Sequence, residues 1–292
     1  MNKILIIADH ADNKQIALSR GLELAHAMAA DVEVAAFTHE HLKAVSVKPA
    51  SRTKIKDYLL KDRTAWLESE LGKLDCSGLK ITRKIVWSKQ LHQWITKRCQ
   101  QQDYLTVIKT GHRPDTFYHT PTDWHLLREC PAPVLLVAEK KWRKTRPILA
   151  ALDLSSRKKS TQKLNQQILQ AAADYANLFS RELHIIHVLH TSTVLQDLDL
   201  IDQKALACER KATLKPIIET IATQYGLSKQ HIHILPGMAG KLIPSIADKL
   251  KADLVVMGTG GHHRLTDHLV GSTAEKVLMH LRTDVLALKP EK

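Results

Sequence analysis

The densest run of residues able to hold a charged ligand is Met257-Gly-Thr-Gly-Gly-His-His-Arg-Leu-Thr-Asp-His-Leu-Val-Gly-Ser-Thr273. Gly258 is followed after two residues by Gly261, and after nine more by Gly271 and Ser272. Glycines carry no Cβ, so backbone N–H groups there can turn toward an anion unobstructed. Ser272-Thr-Ala-Glu275 has the spacing of a capping box that opens a helix through Val277, Leu278 and Leu281. A helix start presents unbonded N–H donors and partial positive charge, which suits phosphate. The Ser272 and Thr273 hydroxyls add donors. The same residues also describe a glycine-rich turn with an ordinary cap, and spacing alone leaves both readings open. No GxxxxGK[ST] stands in the chain, and His263 occupies the place where a dinucleotide fingerprint needs its last glycine.

Other constellations carry less. His184, His187 and His190 recur every third residue on an expected strand, so successive members alternate faces. His231 and His233 share a face, but two imidazoles without a third ligand do not make a metal site, and none is expected. His262, His263 and His268 lie in the glycine loop and suit phosphate or solvent. Cys76, Cys99, Cys130 and Cys208 are scattered without a CxxC pair, so a reducing cytoplasm is the expected compartment. No GxSxG elbow is present. Asp153 and Asp267 are acids able to orient water or Mg²⁺, but no paired carboxylates or evident base accompany them. Retention of a nucleotide is therefore expected ahead of turnover, with slow ATP hydrolysis as the outer limit.

The elements that must position these residues come in two similar sets. KILIIADH, ending at His10, has a counterpart in PILAALDL, ending at Leu154, each run closing on an aspartate, Asp9 and Asp153. CPAPVLLVAEK (Cys130–Lys140) mirrors LRTDVLALKPEK (Leu281–Lys292). Two domains follow, 1–144 and 145–292, with Lys140–Arg146 as a charged linker. Apolar runs of strand length fall at 4–8, 32–37, 79–86, 105–108 and 134–137, and again at 148–152, 183–189, 231–235, 254–257 and 285–288. Between them, Leu164, Ile168, Ala172 and Tyr175 mark one helix face, and Leu214, Ile217, Ile218, Ile221, Ala222 and Tyr225 another, which Pro216 should kink or start. Five strands alternating with four helices predict a mainly parallel sheet covered on both faces, a doubly wound α/β domain, twice. Ligands of such sheets sit beyond the carboxyl ends of the strands.

Composition sets the bounds. A chain of 292 residues with 44 % hydrophobic and 25 % charged content is globular, not disordered or fibrous. No run of about 18 apolar residues predicts a membrane span, and the charged start does not read as a signal peptide. The net charge of +13 is shared, +8 before Thr145 and +5 from it onward. It favours polyanions in general, yet no nucleic-acid-binding motif accompanies it.

The G-two-G-nine-G-[ST] pattern, followed by TAEKVL and DVLALKP, resembles the ATP-binding type of universal stress protein domain. The duplicated layout and TPTDWHLLRECPAPVLLV (Thr120–Val137) resemble tandem members of that family, and the resemblance spans essentially the whole chain. It implies Rossmann-like domains of the adenine nucleotide alpha hydrolase kind and a part in bacterial stress response. The implied ligand is ATP, AMP or another adenine nucleotide, with or without Mg²⁺, in a regulatory or stabilising role. Asp153 would hold the adenosine end, with backbone near Val188 beside the base and Met257 at the strand end. Gly258, Gly261, Gly271, Ser272 and Thr273 would surround ribose and phosphates. The resemblance also implies pairing through the last strands, Val134–Val137 and Val285–Leu288, here as a pseudo-dimer within one chain, with a homodimer left open.

The first half departs from the pattern. Matching DYLTVIKTGH (Asp103–His112) to DLVVMGTGGH (Asp253–His262) without a gap puts Ile108 at the first glycine and keeps Gly111. Thr120-Pro-Thr-Asp123 then stands where Gly271-Ser-Thr-Ala274 does, in a loop one residue shorter. Pro121 has no N–H to offer, and Asp123 would put negative charge at the helix start. The first half is thus expected to keep the fold without the nucleotide site. Trp66, Trp87, Trp94, Trp124 and Trp142 all precede residue 145 and are expected in the core ahead of an apolar ligand pocket. The competing function is an interaction or small-ligand carrier protein acting through this half.

Overall fold

The computed structural model describes residues 2–41, 49–111, 121–140, 142–143, 145–190, 203–259 and 271–290. The chain divides into two compact units, Met1–Glu139 and Lys140–Lys292. The first alternates β1 (Lys3–Ile7), α1 (Ile16–Met28), β2 (Asp31–Thr38), α2 (Pro49–Gly72), β3 (Ile81–Trp87), α3 (Leu91–Gln101), β4 (Thr106–Thr110), α4 (Pro121–Glu129) and β5 (Val134–Val137). Its strands run parallel in the order β3-β2-β1-β4-β5. The second contains β6 (Ile148–Leu152), α5 (Lys159–Leu178), β7 (Leu183–His190), α6 (Gln203–Tyr225) and a 3-10 turn (Lys229–His231). Then follow β8 (Ile232–Gly237), α7 (Ala239–Lys249), β9 (Leu254–Gly258), α8 (Ser272–His280) and β10 (Asp284–Leu288). Its order is β8-β7-β6-β9-β10, again parallel. The doubly wound α/β fold expected from the alternation of apolar runs is present twice.

The central strands are buried along their length. Ile4 to Ile7, Ile148 to Ala151 and Leu254 to Met257 are all under 9 % exposed, because helices cover both faces of a parallel sheet. Outermost β3 instead carries exposed Arg83 and Lys84, charges that discourage a further strand from adding there. Leu164, Ile168, Ala172 and Tyr175 of α5 face the core as their spacing predicts. The stripe on α6 is narrower than expected. Leu214 and Ile221 are buried, Ile217 is exposed, and Pro216 lies inside the helix.

The boundary between the units lies five residues before the expected one, because Lys140–Arg146 is not a free linker. Trp142 Nε1 donates to Asp284 Oδ2 at 2.8 Å, and its ring packs edge-on against Phe179 at 5.1 Å. The Arg143 N–H donates to Asp253 Oδ2 at 2.6 Å, and Arg181 Nη1 donates to the same oxygen. Trp142 therefore belongs to the second unit. The remaining four tryptophans are half-buried, not core: Trp94 packs edge-on against Phe37 at 5.4 Å and His39 lies 5.3 Å from Trp87.

Candidate functional site

In the second unit the strand order leaves β6 in both directions, toward β7 and β8 on one side and β9 and β10 on the other. The crevice beyond the carboxyl ends of β6 and β9 is thus the switch point at which such sheets bind ligands. Register sets Leu152 beside His187 and Ala151 beside Met257, so Asp153, just past β6, and Gly258, the last residue of β9, lie at one end of the sheet, with Val188 two residues before the end of β7. Asp153 is half-exposed there.

Two buried polar side chains fix the turn that carries Asp153. Asn165 on α5 accepts the Asp153 N–H at 3.1 Å and donates its Nδ2 to the Asp153 carbonyl at 2.7 Å. His187, 2 % exposed, lies under the next residues. Its Nδ1 lies 3.0 Å from the Leu152 carbonyl and accepts the Leu154 N–H at 3.2 Å, and its Nε2 is 2.8 Å from the Ser155 hydroxyl, so the ring ties three backbone and side-chain groups of the turn together. Burial lowers the imidazole from its ordinary value, against weaker upward pulls from the Leu152 carbonyl and Asp153, so the neutral form persists. Neither residue follows from motif reading. The available signal is a polar Asn165 beside the apolar stripe of α5.

At the end of β9, Met257 is buried and offers its backbone alone. Gly258 has a packing role. A Cβ there would lie 2.6 Å from Leu164 Cδ2 and 3.4 Å from Ile168 Cδ1, so its absence lets α5 close on the strand. The Thr259 N–H donates to the Leu288 carbonyl at 2.9 Å, and the Gly271 N–H donates to the Thr259 carbonyl at 3.3 Å. This bond draws the start of α8 back to the strand ends. Gly271 is the N-cap, one residue earlier than the capping box predicts, because its carbonyl accepts the first helical bond from the Glu275 N–H at 2.9 Å. Ser272 is consequently the first helical residue, and Thr273 is exposed in the first turn. Gly261, Asp267 and the rest of the loop lie outside the described residues, as does the Ser272 side chain.

Strand register corrects the match between the halves. Ile6 pairs with Ile108 where Ala150 pairs with Val256. The Gly111 N–H bonds to the Val137 carbonyl where the Thr259 N–H bonds to that of Leu288. Thr110, not Ile108, therefore holds the place of Gly258, and Lys109 that of Met257. The connection into the last helix is three residues shorter in the first half, not one. A gapless match must slide the strand to absorb a difference that lies in the loop.

This register explains the chemistry at Asp9. Thr110 Oγ1 donates to Asp9 Oδ2 at 2.5 Å and accepts the Ala17 N–H at 3.1 Å. Arg63, lying 3.6 Å above the Trp66 ring, donates to the Asp9 carbonyl at 2.6 Å. Asp9 is 6 % exposed. Asp123 does not present a bare charge at the start of α4 as expected. It is buried, with Oδ1 2.9 Å from Lys109 Nζ, an ion pair where the second half has Ala274 and Met257.

Residues 144–289 match the Universal stress protein family. The chain is similar to Universal stress protein E of Escherichia coli (strain K12), 26 % identical over 298 residues that cover 99 % of this chain and 94 % of the relative. Among solved structures it is similar to a functionally unknown protein of Pseudomonas aeruginosa PAO1, with TM-score 0.74, 28 % identity and coverage of 99 % and 92 %. A universal stress protein from Archaeoglobus fulgidus DSM 4304 shares the fold, with TM-score 0.69, 18 % identity and 99 % coverage of both chains.

Proposed function

As the chain belongs to the universal stress protein family, we propose that its second unit binds one adenine nucleotide, ATP or a close relative, as a regulatory or stabilising ligand in bacterial stress response. The observation that carries this is the meeting of Asp153, Val188, Gly258 and the start of α8 at the switch point of that sheet. Asp153 suits the ribose hydroxyls as an acceptor, and backbone near Val188 suits the edge of the base. Gly261, Gly271, Ser272 and Thr273 suit the phosphates, where a helix start supplies N–H donors. Mg²⁺ would travel with the phosphates.

The first unit takes no nucleotide in this proposal. Support comes from Thr110, which occupies the carboxylate of Asp9, and from the Arg63 guanidinium over the same turn. A cytoplasmic location belongs to the same proposal; among the described residues no helix is long and apolar enough to cross a membrane. Pairing of the halves through their last strands also remains a proposal, and crosslinks that form only between chains would contradict it.

Binding of labelled ATP to the full chain and to Gly261→Asp tests the assignment. A carboxylate in the loop should weaken binding by more than about tenfold through repulsion and lost backbone approach. Equal binding by both proteins would overturn it.

A further inference from the structure

At the far end of the second sheet, away from Asp153, four titratable side chains converge. Glu182 precedes β7 and His184 follows two residues later, so both point to one face of the strand. His231 and His233 repeat that spacing at the start of β8, and Ile185 pairs with Ile232, which sets His184 beside His231. The sequence offers His231 and His233 as a pair without a third ligand; strand pairing supplies it.

We infer that Glu182, His184 and His231 form a binding site for a divalent transition cation of the zinc class, with His233 as a positioning residue. One ligand atom from each of the three lies within 4.8 Å of the others. His184 Nε2 is 3.6 Å from Glu182 Oε2, and His231 Nε2 is 4.0 Å from Glu182 Oε1. Bonds of about 2.0–2.2 Å in a tetrahedral site put ligand atoms about 3.3 Å apart. Small rotations of Glu182, whose side chain is 68 % exposed, and of the half-buried His231 ring toward His184 are what binding requires. His184 is the anchor, 6 % exposed.

The second nitrogens are also provided for. His184 Nδ1 lies 3.1 Å from His233 Nε2, so a proton shared there leaves Nε2 with its lone pair toward the cation. His231 Nδ1 accepts the Ser228 N–H at 3.4 Å and lies 3.4 Å from the Ser228 hydroxyl, so binding a cation through Nε2 moves the ring proton to Nδ1, where the hydroxyl can accept it. Gln230 Nε2, 3.4 Å from His231 Nε2, is on an exposed side chain free to turn aside. Two imidazoles and one carboxylate suit zinc-like ions, where calcium and magnesium need oxygen cages. Three protein ligands leave the fourth position to water.

A second cluster, His92, His125 and Glu129 in the first unit, shows by contrast what excludes a cation. There Arg128 Nη2 lies 2.5 Å from His125 Nδ1 and 3.6 Å from Glu129 Oε1, so a fixed positive charge already fills the space.

The test uses the full chain, stripped by chelator and free of nucleotide, titrated with Zn²⁺ and separately with Co²⁺. One equivalent of each should bind, and cobalt should develop the intense visible bands of four-coordination. His231→Gln and Glu182→Gln should each weaken uptake by more than about tenfold while circular dichroism stays unchanged. His233→Phe should weaken uptake while keeping the shape of the cobalt spectrum. Undiminished uptake in both ligand variants would overturn the site. So would pale six-coordinate spectra and weak uptake shared by every protein, which would leave the cluster as hydrogen-bonded histidines only.

Discussion

Acidification probes the turn that carries Asp153 through the imidazole beneath it. His187 is lowered by burial, so between that value and about 6.5 the unfolded chain binds more protons than the folded one. The stability it contributes is fully present above that window and lost as pH falls through it. His184 and His233, lowered by burial and by neighbouring histidines, add to the same slope. Urea midpoints should drop from pH 7 to pH 5, and His187→Gln should flatten that slope; an unchanged slope would remove His187 from the account. At this scale the sequence makes Asp153 and Gly258 visible, because a strand end closed by an acid or a glycine is local. Asn165 and His187 stay hidden. Their roles depend on backbone bonds to Asp153 and Leu152, which periodicity with His184 and His190 does not report.

Gly258 is better understood through the elements that meet at it. Its neighbour Leu164 belongs to α5, and an added methyl would press on the far end of that side chain at 2.6 Å. Gly258→Ala should therefore cost about 1–2 kcal/mol of stability by overpacking, measured by urea unfolding. Its N–H is retained, so nucleotide affinity should change by less than about threefold by the same separation of packing from backbone donation. Lost affinity with unchanged stability would contradict the packing role. Elements themselves are legible: apolar runs mark all ten described strands to within a few residues. Register is not. The repeated glycine–histidine of the two loops, Gly111-His112 and Gly261-His262, draws Ile108 to Gly258, whereas ladder bonds assign Thr110, and no residue pattern encodes how three loop residues are distributed. The cap of α8 moves for a similar reason, since a glycine carbonyl can accept the first helical bond without any side-chain signal.

For the whole molecule, the duplicated fold carries different residues at equivalent strand ends. Lys140–Arg146 reads as a linker from its charge, but Trp142 and Arg143 tie it to Asp284 and Asp253 of the second unit. The first unit puts Thr110, Arg63 and the Lys109–Asp123 pair where the second has Gly258, Met257 and Ala274. In the proposed function each chain holds one adenine nucleotide, bound by the second unit. Calorimetric titration of the nucleotide-free full chain with ATP and Mg²⁺ tests it most directly through stoichiometry. One site per chain, absent in Gly261→Asp, is the predicted result; two sites, or none, would contradict it.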